Sequence, residues 1–340
     1  MREKIGIKEI AQKAGVSITT VSRVLNNKGD QYRISKKTQI KVNKAADKLK
    51  YIPNHFAANL RTGKSNTISL LIPSLDNPFF ASIASEVNAE IKNFGYLTII
   101  SDTNEDIEVE KKEVKLLISR NIEGLIIAPC GDEWSHLKSL HDKGYPIVSI
   151  DRYFENLNIP FVSTDNYKGA YNATKKLIDY GHTSIVCIQG VRKSTPNKLR
   201  VDGFTNALKE SGIKNYKIVG SDFNVENGYF ETKKLINNKK LPSAIFALSN
   251  TIALGCIKAL KEEDIHIPED ISLIAFDNHP YLEYLATPLS CVSQSVEEIC
   301  KLAVKYLFEH INEGHNAGTV NQTLIEPELI LRDSIKKLSK

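Results

Sequence analysis

The stretch IGIKEIAQKAGVSITTVSRVLN, residues 5–26, predicts two short amphipathic helices joined by a tight turn. Apolar residues recur at helical spacing on either side of the interruption Gly15-Val16-Ser17. Gly15 supplies the backbone freedom that a tight turn needs, and Ser17 can cap the second helix by accepting a hydrogen bond from the N–H of Thr20. This punctuation is typical of a helix-turn-helix, although an ordinary helical hairpin has the same apolar pattern.

The second helix turns a small, polar and basic face away from its apolar side, formed by Ile18, Thr19 and Arg23. In the DNA major groove, Arg can bond guanine, and Thr or Ile can contact a thymine methyl group. The charge distribution agrees, because residues 1–66 hold 15 Lys and Arg against 4 Asp and Glu, a net charge of +11. The remainder of the chain carries −6. The basic N-terminal region is therefore predicted to bind nucleic acid.

The segments A-x-x-A-G-V-S and T-V-S-R-V-L-N, at residues 11–17 and 20–26, resemble the lactose-repressor (LacI/GalR) family of bacterial transcription regulators. The resemblance extends along nearly the whole chain. It implies a homodimer on a pseudo-palindromic double-stranded DNA operator, with bases read by Ile18, Thr19 and Arg23. The residues expected to contact the DNA backbone are Ser17, Thr20, Ser22 and Asn26.

Two further segments of the N-terminal region depart from the family pattern. The connection NKGDQYRIS, residues 27–35, is about three residues longer than usual and leads to a third helix predicted over residues 36–49, capped by Ser35. It either reaches the DNA backbone or is a plain insertion. The segment NHFAANLR, residues 54–61, resembles the family's hinge helix, which binds the minor groove and wedges a leucine between base pairs. The implied hinge residues are Asn54, Ala57 and Leu60.

From residue 67 onward, short apolar strands alternate with amphipathic helices, a pattern typical of parallel sheets covered on both faces. The pattern restarts after VSTDN, residues 162–166, and so predicts two successive sheets that resemble the bilobed fold of periplasmic sugar-binding proteins. The predicted fold class is α/β, with a helical headpiece and hinge helix followed by two doubly wound parallel-sheet lobes. Return crossings are expected near residues 294 and 322, which assigns a helix over 296–312 to the first lobe. The predicted domains are 1–53 (headpiece), 54–66 (hinge and linker), 67–163 with 294–322 (first lobe), and 164–293 with 323–340 (second lobe).

Polar and aromatic residues follow many of these strands, where open parallel sheets bind ligands. Carboxylates and amides can pair with sugar hydroxyls, and an aromatic ring can cover the C–H face of a sugar. Any one Asp or Asn after a strand is more often a helix cap, so the prediction rests on the set. Asn250 stands where the family usually carries Asp. The predicted effector-binding residues, several of them implied by the resemblance, are Asn77, Phe79, Phe80, Asp102, Asp151, Arg152, Arg200, Phe223, Ser249, Asn250, Asp277 and Gln294.

The sequence argues against several other classes of protein. It contains no G-x-S-x-G, H-E-x-x-H, Walker or G-x-G-x-x-G motif, so we expect no catalytic residues, cofactor or metal. Its five cysteines are widely spaced and are predicted to be reduced packing residues. No apolar stretch is long enough for a membrane span or signal region, so a cytoplasmic location without membrane contact is expected.

The expected function is repression of a carbohydrate-use operon, gated by a small molecule that binds between the lobes, with a monosaccharide as the expected effector. A phosphorylated protein or a nucleobase is an alternative effector, and a sugar-processing enzyme is a further alternative. An architectural DNA binder would not need the two lobes, and a transport protein would not need a helix-turn-helix. The absence of an extended heptad pattern in the C-terminal sequence favours a dimer over a coiled-coil tetramer.

Overall fold

The computed structural model describes residues 6–51, 64–313 and 320–338. The chain forms two compact units, Met1–Ser65 and Asn66–Lys340. The predicted hinge residues Asn54, Ala57 and Leu60 lie outside the described residues. No helix in the described ranges is long and apolar enough to cross a bilayer.

The first unit contains three described helices: α1 (Ile7–Ala14), α2 (Ile18–Leu25) and α3 (Lys36–Lys48). Ile10, Val21 and Val42, one from each helix, are fully buried in their shared core. The predicted turn is confirmed, since Gly15 adopts a left-handed φ of 60°. The predicted cap is also confirmed, since the Thr20 N–H donates to Ser17 Oγ at 3.1 Å.

The described residues of the second unit form two six-stranded sheets. The strands are β1 (Thr67–Ile72), β2 (Leu97–Asp102), β3 (Gly124–Ile127), β4 (Ile147–Ile150), β5 (Phe161–Thr164), β6 (Ile185–Ile188), β7 (Tyr216–Val219), β8 (Ala244–Ala247), β9 (Ser272–Phe276), β10 (Ser290–Ser293), β11 (Gln322–Ile325) and β12 (Glu328–Ile330). The first sheet has the order β11-β5-β4-β3-β1-β2 and the second the order β12-β10-β9-β8-β6-β7. All these pairings are parallel except that of β12 with β10.

Helices cover both faces of these sheets, as the alternating pattern predicts. Their bounds are α4 (Pro78–Asn93), α5 (Ile107–Ser119), α6 (Ser135–Asp142), α7 (Asn166–Asp179), α8 (Thr195–Glu210), α9 (Val225–Asn237), α10 (Asn250–Glu262) and α11 (Val296–Glu313), with a 3-10 helix at Pro280–Glu283. We call β1–β5, β11, α4–α6 and α11 the first lobe, and β6–β10, β12 and α7–α10 the second lobe.

The chain passes between the lobes three times, after β5, β10 and β11. After the second crossing, α11 packs on the first sheet, where Ile299 and Leu307 share a core with Ile126. In the structure this helix therefore packs with the strands of the first lobe. The third crossing follows Ile325 instead of residue 322, because β11 pairs with β5 along its whole length.

Candidate functional site

The outward face of α2 carries the three residues predicted to read bases. Ile18, Thr19 and Arg23 are exposed, whereas Val21 and Val24 of the same helix are buried against α1 and α3. Ile18 leaves 48% of its surface in solvent, so its apolar side chain is accessible on this face. An apolar side chain, a hydroxyl and a guanidinium are therefore presented together on one helix face.

The residues predicted to contact the DNA backbone lie at the two ends of α2. The Ser17 and Thr20 hydroxyls hydrogen-bond each other at 2.9 Å at its N-terminus. At its C-terminus, the Asn26 side-chain amide donates to the Ser22 carbonyl at 2.7 Å. These contacts hold the four polar side chains close to the helix, beside the exposed face.

In the second unit, nine of the twelve predicted effector-binding residues line one small cavity of about 20 Å³ between the lobes, which we call the inner cavity. They meet because the carboxyl ends of both sheets face the same cleft. Its lining residues are Asn77, Phe79, Phe80, Asp151, Arg152, Pro196, Arg200, Phe223, Ser249 and Asp277.

A larger cavity of about 530 Å³, the outer cavity, shares Asn77, Phe80 and Phe223 with the inner one. Of the fourteen described residues that line it, four are acidic and none is basic. Burial raises the pKa of one of them, Asp222, and the nearby Glu105 and Glu226 carboxylates raise it further. The outer cavity therefore carries negative charge at its walls.

Asp151 and Asp277 occupy equivalent positions, directly after β4 of the first lobe and β9 of the second. Both have left-handed backbones, with φ of 62° and 71°. Such conformations are uncommon for residues other than glycine, and they concentrate at binding sites. Both side chains are buried, with 4% and 5% of the residue exposed. The repeated fold thus places one buried carboxylate on each side of the inner cavity.

The buried Asp151 carboxylate has few hydrogen bonds and cationic contacts to compensate its charge. Its Oδ1 is buried and has no hydrogen-bond partner among the described protein atoms. Its nearest cationic contact is Arg152 Nε, 3.9 Å from Oδ2. Burial raises the pKa of Asp151 to about 6, against the opposing effect of Arg152 and Arg200. The site therefore holds an acceptor that a ligand with O–H or N–H donors can satisfy.

Asp277, in contrast, belongs to a hydrogen-bonded chain. It accepts from Gln294 Nε2 at 2.6 Å and lies 3.7 Å from Arg200 Nη2. Gln294 in turn accepts a hydrogen bond from the Thr164 hydroxyl. Burial raises the pKa of Asp277, and the Arg200 guanidinium works against that rise. Because Thr164 ends β5 and Gln294 follows β10, this chain joins two of the crossing segments.

The two arginines of the inner cavity are held rigidly by side chains that the sequence analysis missed. Arg152 makes two hydrogen bonds to the Glu105 carboxylate, at 2.7 and 2.5 Å. Arg200 Nε donates a hydrogen bond to Asn166 Oδ1 at 2.7 Å, and the guanidinium carbon of Arg200 lies 3.7 Å from the Phe276 ring centroid. Glu105 and Asn166 do follow strands, in the same way as the predicted residues.

Three predicted residues do not line the inner cavity. Asp102 lies outside both cavities and accepts the Leu75 N–H at 3.4 Å. Gln294 donates a hydrogen bond to the Asp277 carboxylate instead, and the backbone of Asn250 also hydrogen-bonds that carboxylate. The side-chain Oδ1 of Asn250 is buried without a hydrogen-bond partner among the described atoms. Asn77 lines the cavity and also caps α4, so a helix cap and a cavity residue are not exclusive roles here.

Chemically, the described part of the site offers hydrogen-bonding groups and aromatic rings for stacking. No group of three or more His, Cys, Asp or Glu residues in the described ranges is arranged to hold a metal ion. The two carboxylates and two guanidinium groups of the inner cavity can instead accept from and donate to a polar ligand, with the Phe80 and Phe223 rings beside them.

The chain matches two family descriptions that together cover most of its length. Residues 6–54 match "Bacterial regulatory proteins, lacI family", and residues 65–330 match "Periplasmic binding proteins and sugar binding domain of LacI family". A relative, the HTH-type transcriptional regulator DegA of Bacillus subtilis (strain 168), is 34% identical over 99% of both chains. The ribose operon repressor of Haemophilus influenzae is 33% identical over 98% of this chain and 99% of its own. The HTH-type transcriptional repressor PurR of Vibrio vulnificus is 32% identical over 98% and 99%.

Solved structures show the same fold. A lac repressor dimer bound to operator and an anti-inducer superposes with a TM-score of 0.87 at 23% identity, covering 98% of this chain and 100% of that chain. A LacI family regulator from Enterococcus faecium with bound ribose gives a TM-score of 0.74 at 25% identity, covering 80% of this chain and 100% of that one.

Proposed function

The chain belongs to the LacI family of bacterial regulatory proteins, and from that premise we propose that it represses a carbohydrate-use operon under the control of a sugar. The family consists of DNA-binding transcriptional regulators and not of enzymes. The sugar binds between the lobes, at the inner cavity and the adjoining part of the outer cavity. Two relatives support this class of effector, one named a ribose operon repressor and one solved with bound ribose.

The observation that carries the proposal is the buried Oδ1 of Asp151, which has no hydrogen-bond partner in the described ranges and lies beside aromatic rings of both lobes. Sugar hydroxyls are hydrogen-bond donors that can complete this carboxylate, and the C–H faces of a sugar pack on rings such as Phe80 and Phe223. The acidic outer cavity favours an uncharged sugar over a sugar phosphate, because a phosphate there would meet the Asp76, Asp222 and Glu226 carboxylates, while only the fourth acidic residue, Glu105, is paired with Arg152.

The dimensions of the cleft support gating by movement of the lobes. A cavity of about 20 Å³ holds little more than one water molecule, whereas ligand sites usually measure about 300 to 1,000 Å³. The lobes touch across the cleft, where Thr195 Oγ1 donates to the Tyr153 carbonyl at 2.6 Å and Lys193 pairs with Asp132 at 3.0 Å. A sugar that enters the inner cavity therefore favours a wider spacing of the lobes there than the one described.

For DNA, we propose a homodimer on a pseudo-palindromic operator, because two α2 helices related by a two-fold axis would address two equivalent half-sites. In each half-site the bases are read by Ile18, Thr19 and Arg23. Ser17, Thr20, Ser22 and Asn26 contact phosphates. The hinge residues Asn54, Ala57 and Leu60 bind the minor groove at the centre of the operator.

A thermal-shift screen of the full chain tests the effector. Pentoses, hexoses, their phosphates and purine bases are each added in excess, since a ligand that binds only the folded state raises the melting temperature with its concentration. We expect a neutral monosaccharide to stabilise the wild type and to lose that effect with Asp151→Ala. If a purine base were the only compound that stabilised the protein, the effector would be a nucleobase and not a sugar. A sugar phosphate as the only ligand would contradict the argument from the acidic outer cavity.

A further inference from the structure

The lengthened connection between α2 and α3 forms an ordered turn. The Lys28 N–H donates to the Arg23 carbonyl at 2.8 Å, and the Tyr32 N–H donates to the Lys28 carbonyl at 3.1 Å. The Ile34 N–H then donates to the Gly29 carbonyl at 2.9 Å. These bonds continue the chain from the end of α2 through one compact turn, so the loop has one preferred shape.

The same loop is fastened to α3. The Asp30 carboxylate accepts from Lys36 Nζ at 2.8 Å and from Gln39 Nε2 at 2.9 Å. Gly29 approaches α3 so closely that a Cβ there would lie 2.5 Å from Gln39 Cδ. The close approach and the two side-chain bonds fix the position of the following residues relative to the helical core.

This geometry places the Tyr32 ring against Arg23 of α2. The guanidinium carbon lies 3.9 Å from the ring centroid, within the range of a cation–π contact. Both side chains are exposed, and 46% of Tyr32 remains in solvent. Within described residues 6–51, the salt bridge joins Lys36 to Asp30, and no carboxylate there pairs with the Arg23 guanidinium.

Resting on the proposed base-reading role of Arg23, we propose that Tyr32 positions this arginine for recognition. A guanidinium stacked by its face keeps its N–H edge available, and that edge is what bonds guanine O6 and N7. The stack also restricts a long side chain that would otherwise lose rotamer freedom on binding. Tyr32 thereby makes the lengthened loop part of the specificity apparatus, without itself contacting a base.

The test begins with the full-length wild-type protein and a library of DNA duplexes that carry a randomised core. The selected consensus, its single-base variants and random DNA then serve as probes for direct titration. Arg23→Ala identifies the base pair whose discrimination depends on Arg23. Tyr32→Ala and Tyr32→Leu remove the ring, Tyr32→Phe keeps it, and Gln31→Ala is the matched control on the same loop. Circular dichroism and thermal melting establish that each variant folds.

We expect Tyr32→Ala and Tyr32→Leu to lose about twofold to fivefold discrimination at the Arg23-dependent base pair, the range that an exposed cation–π contact provides. Random-DNA affinity should stay unchanged, and Tyr32→Phe and Gln31→Ala should match the wild type. In an Arg23→Ala background, Tyr32→Ala should have no further effect on discrimination, because the interaction has already been removed.

Three outcomes would overturn the proposal. Equal losses on consensus and random DNA would make Tyr32 a phosphate contact. Improved discrimination in Tyr32→Ala would mean that the stack holds Arg23 away from the DNA. An Arg23→Ala variant that keeps every base preference would refute the base-reading role of Arg23 itself. That failure can be distinguished from a failure of the Tyr32 proposal alone, because it appears in a variant whose Tyr32 is unchanged.

Discussion

Replacing Asp151 with Asn should stabilise the effector-free protein. The pKa of this buried carboxyl is about 6 in the folded state, against an ordinary value of 3.8. Between these values the folded state binds more protons than the unfolded state, so the free energy of unfolding falls as the pH rises through this window. The difference of about 2 pKa units corresponds to about 3 kcal/mol, lost by pH 7. Asn cannot ionise and should recover most of that free energy.

The measurement is thermal unfolding of the full chain from pH 4 to pH 8, with and without the substitution. The stabilisation by Asp151→Asn should be small near pH 4, grow up to about pH 6, and stay constant above about pH 7. The matched control is Asp102→Asn, the same chemical change at a strand end outside both cavities. An Asp151→Asn variant that is less stable than the wild type at pH 7.5, or equally stabilised at every pH, would refute the reasoning.

The same variant should bind the sugar found in the screen more weakly. Hydrogen bonds to a charged group contribute about 1.5 to 3 kcal/mol, against about 1 kcal/mol for neutral pairs. We therefore expect a loss of about 1 to 2 kcal/mol in calorimetry. Stability and affinity would then change in opposite directions, as expected for a carboxylate whose burial is favourable only when a ligand completes its hydrogen bonds.

Three further predictions concern DNA binding and its coupling to the effector. Arg23→Ala should remove base discrimination worth about 1 to 3 kcal/mol while random-DNA affinity survives; equal losses in mobility-shift titrations would make Arg23 a phosphate contact. Leu60→Ala should weaken operator binding and reduce DNA bending while the headpiece stays folded, and unchanged bending in a circular-permutation gel assay would exclude the wedge. Asp277→Ala should abolish the effector response but spare operator affinity without sugar, as paired calorimetry and operator titration can measure. It should also lower the melting temperature, because Gln294 loses its hydrogen-bond acceptor and Arg200 loses an ion-pair partner. Loss of operator binding in the absence of sugar would make Asp277 structural.

Local signals predicted most of the fold. Hydrophobic periodicity located α1 and α2 on either side of Gly15, and the apolar runs located β1–β4 and β6–β9. The strands next to the crossings, β5, β10, β11 and β12, were not predicted as strands. The inner cavity was predictable as a set, because the carboxyl ends of parallel strands meet at one edge whichever helices lie between them. Asp102 does not follow this rule. It is the last residue of β2 and accepts the Leu75 N–H, while Glu105, three residues further along the chain, lines the outer cavity instead.

Long-range pairing was not predictable from local pattern. The Arg152–Glu105 pair spans 47 residues and the Arg200–Asn166 pair spans 34, and neither has a fixed spacing that a sequence could display. Tyr32 was missed for a related reason. An insertion between two helices carries no periodicity, so only its turn geometry shows that its ring reaches Arg23. The sequence thus contained the candidate residues, while their partners required the folded chain.

The contrast between the two buried carboxylates suggests how occupancy of the cleft is transmitted. Asp151 has an unfilled acceptor, so a sugar can gain a hydrogen bond there without breaking one. Asp277 already accepts from Gln294, whose own acceptor is used by Thr164, so a sugar that engages Asp277 competes with bonds held by two crossing segments. A ligand shifts a two-state equilibrium only through its different affinities for the two states. On this reasoning, the contribution of Asp151 to sugar affinity is largely the same at any spacing of the lobes. The contribution of Asp277 differs between the two spacings, and it is this difference that shifts the equilibrium.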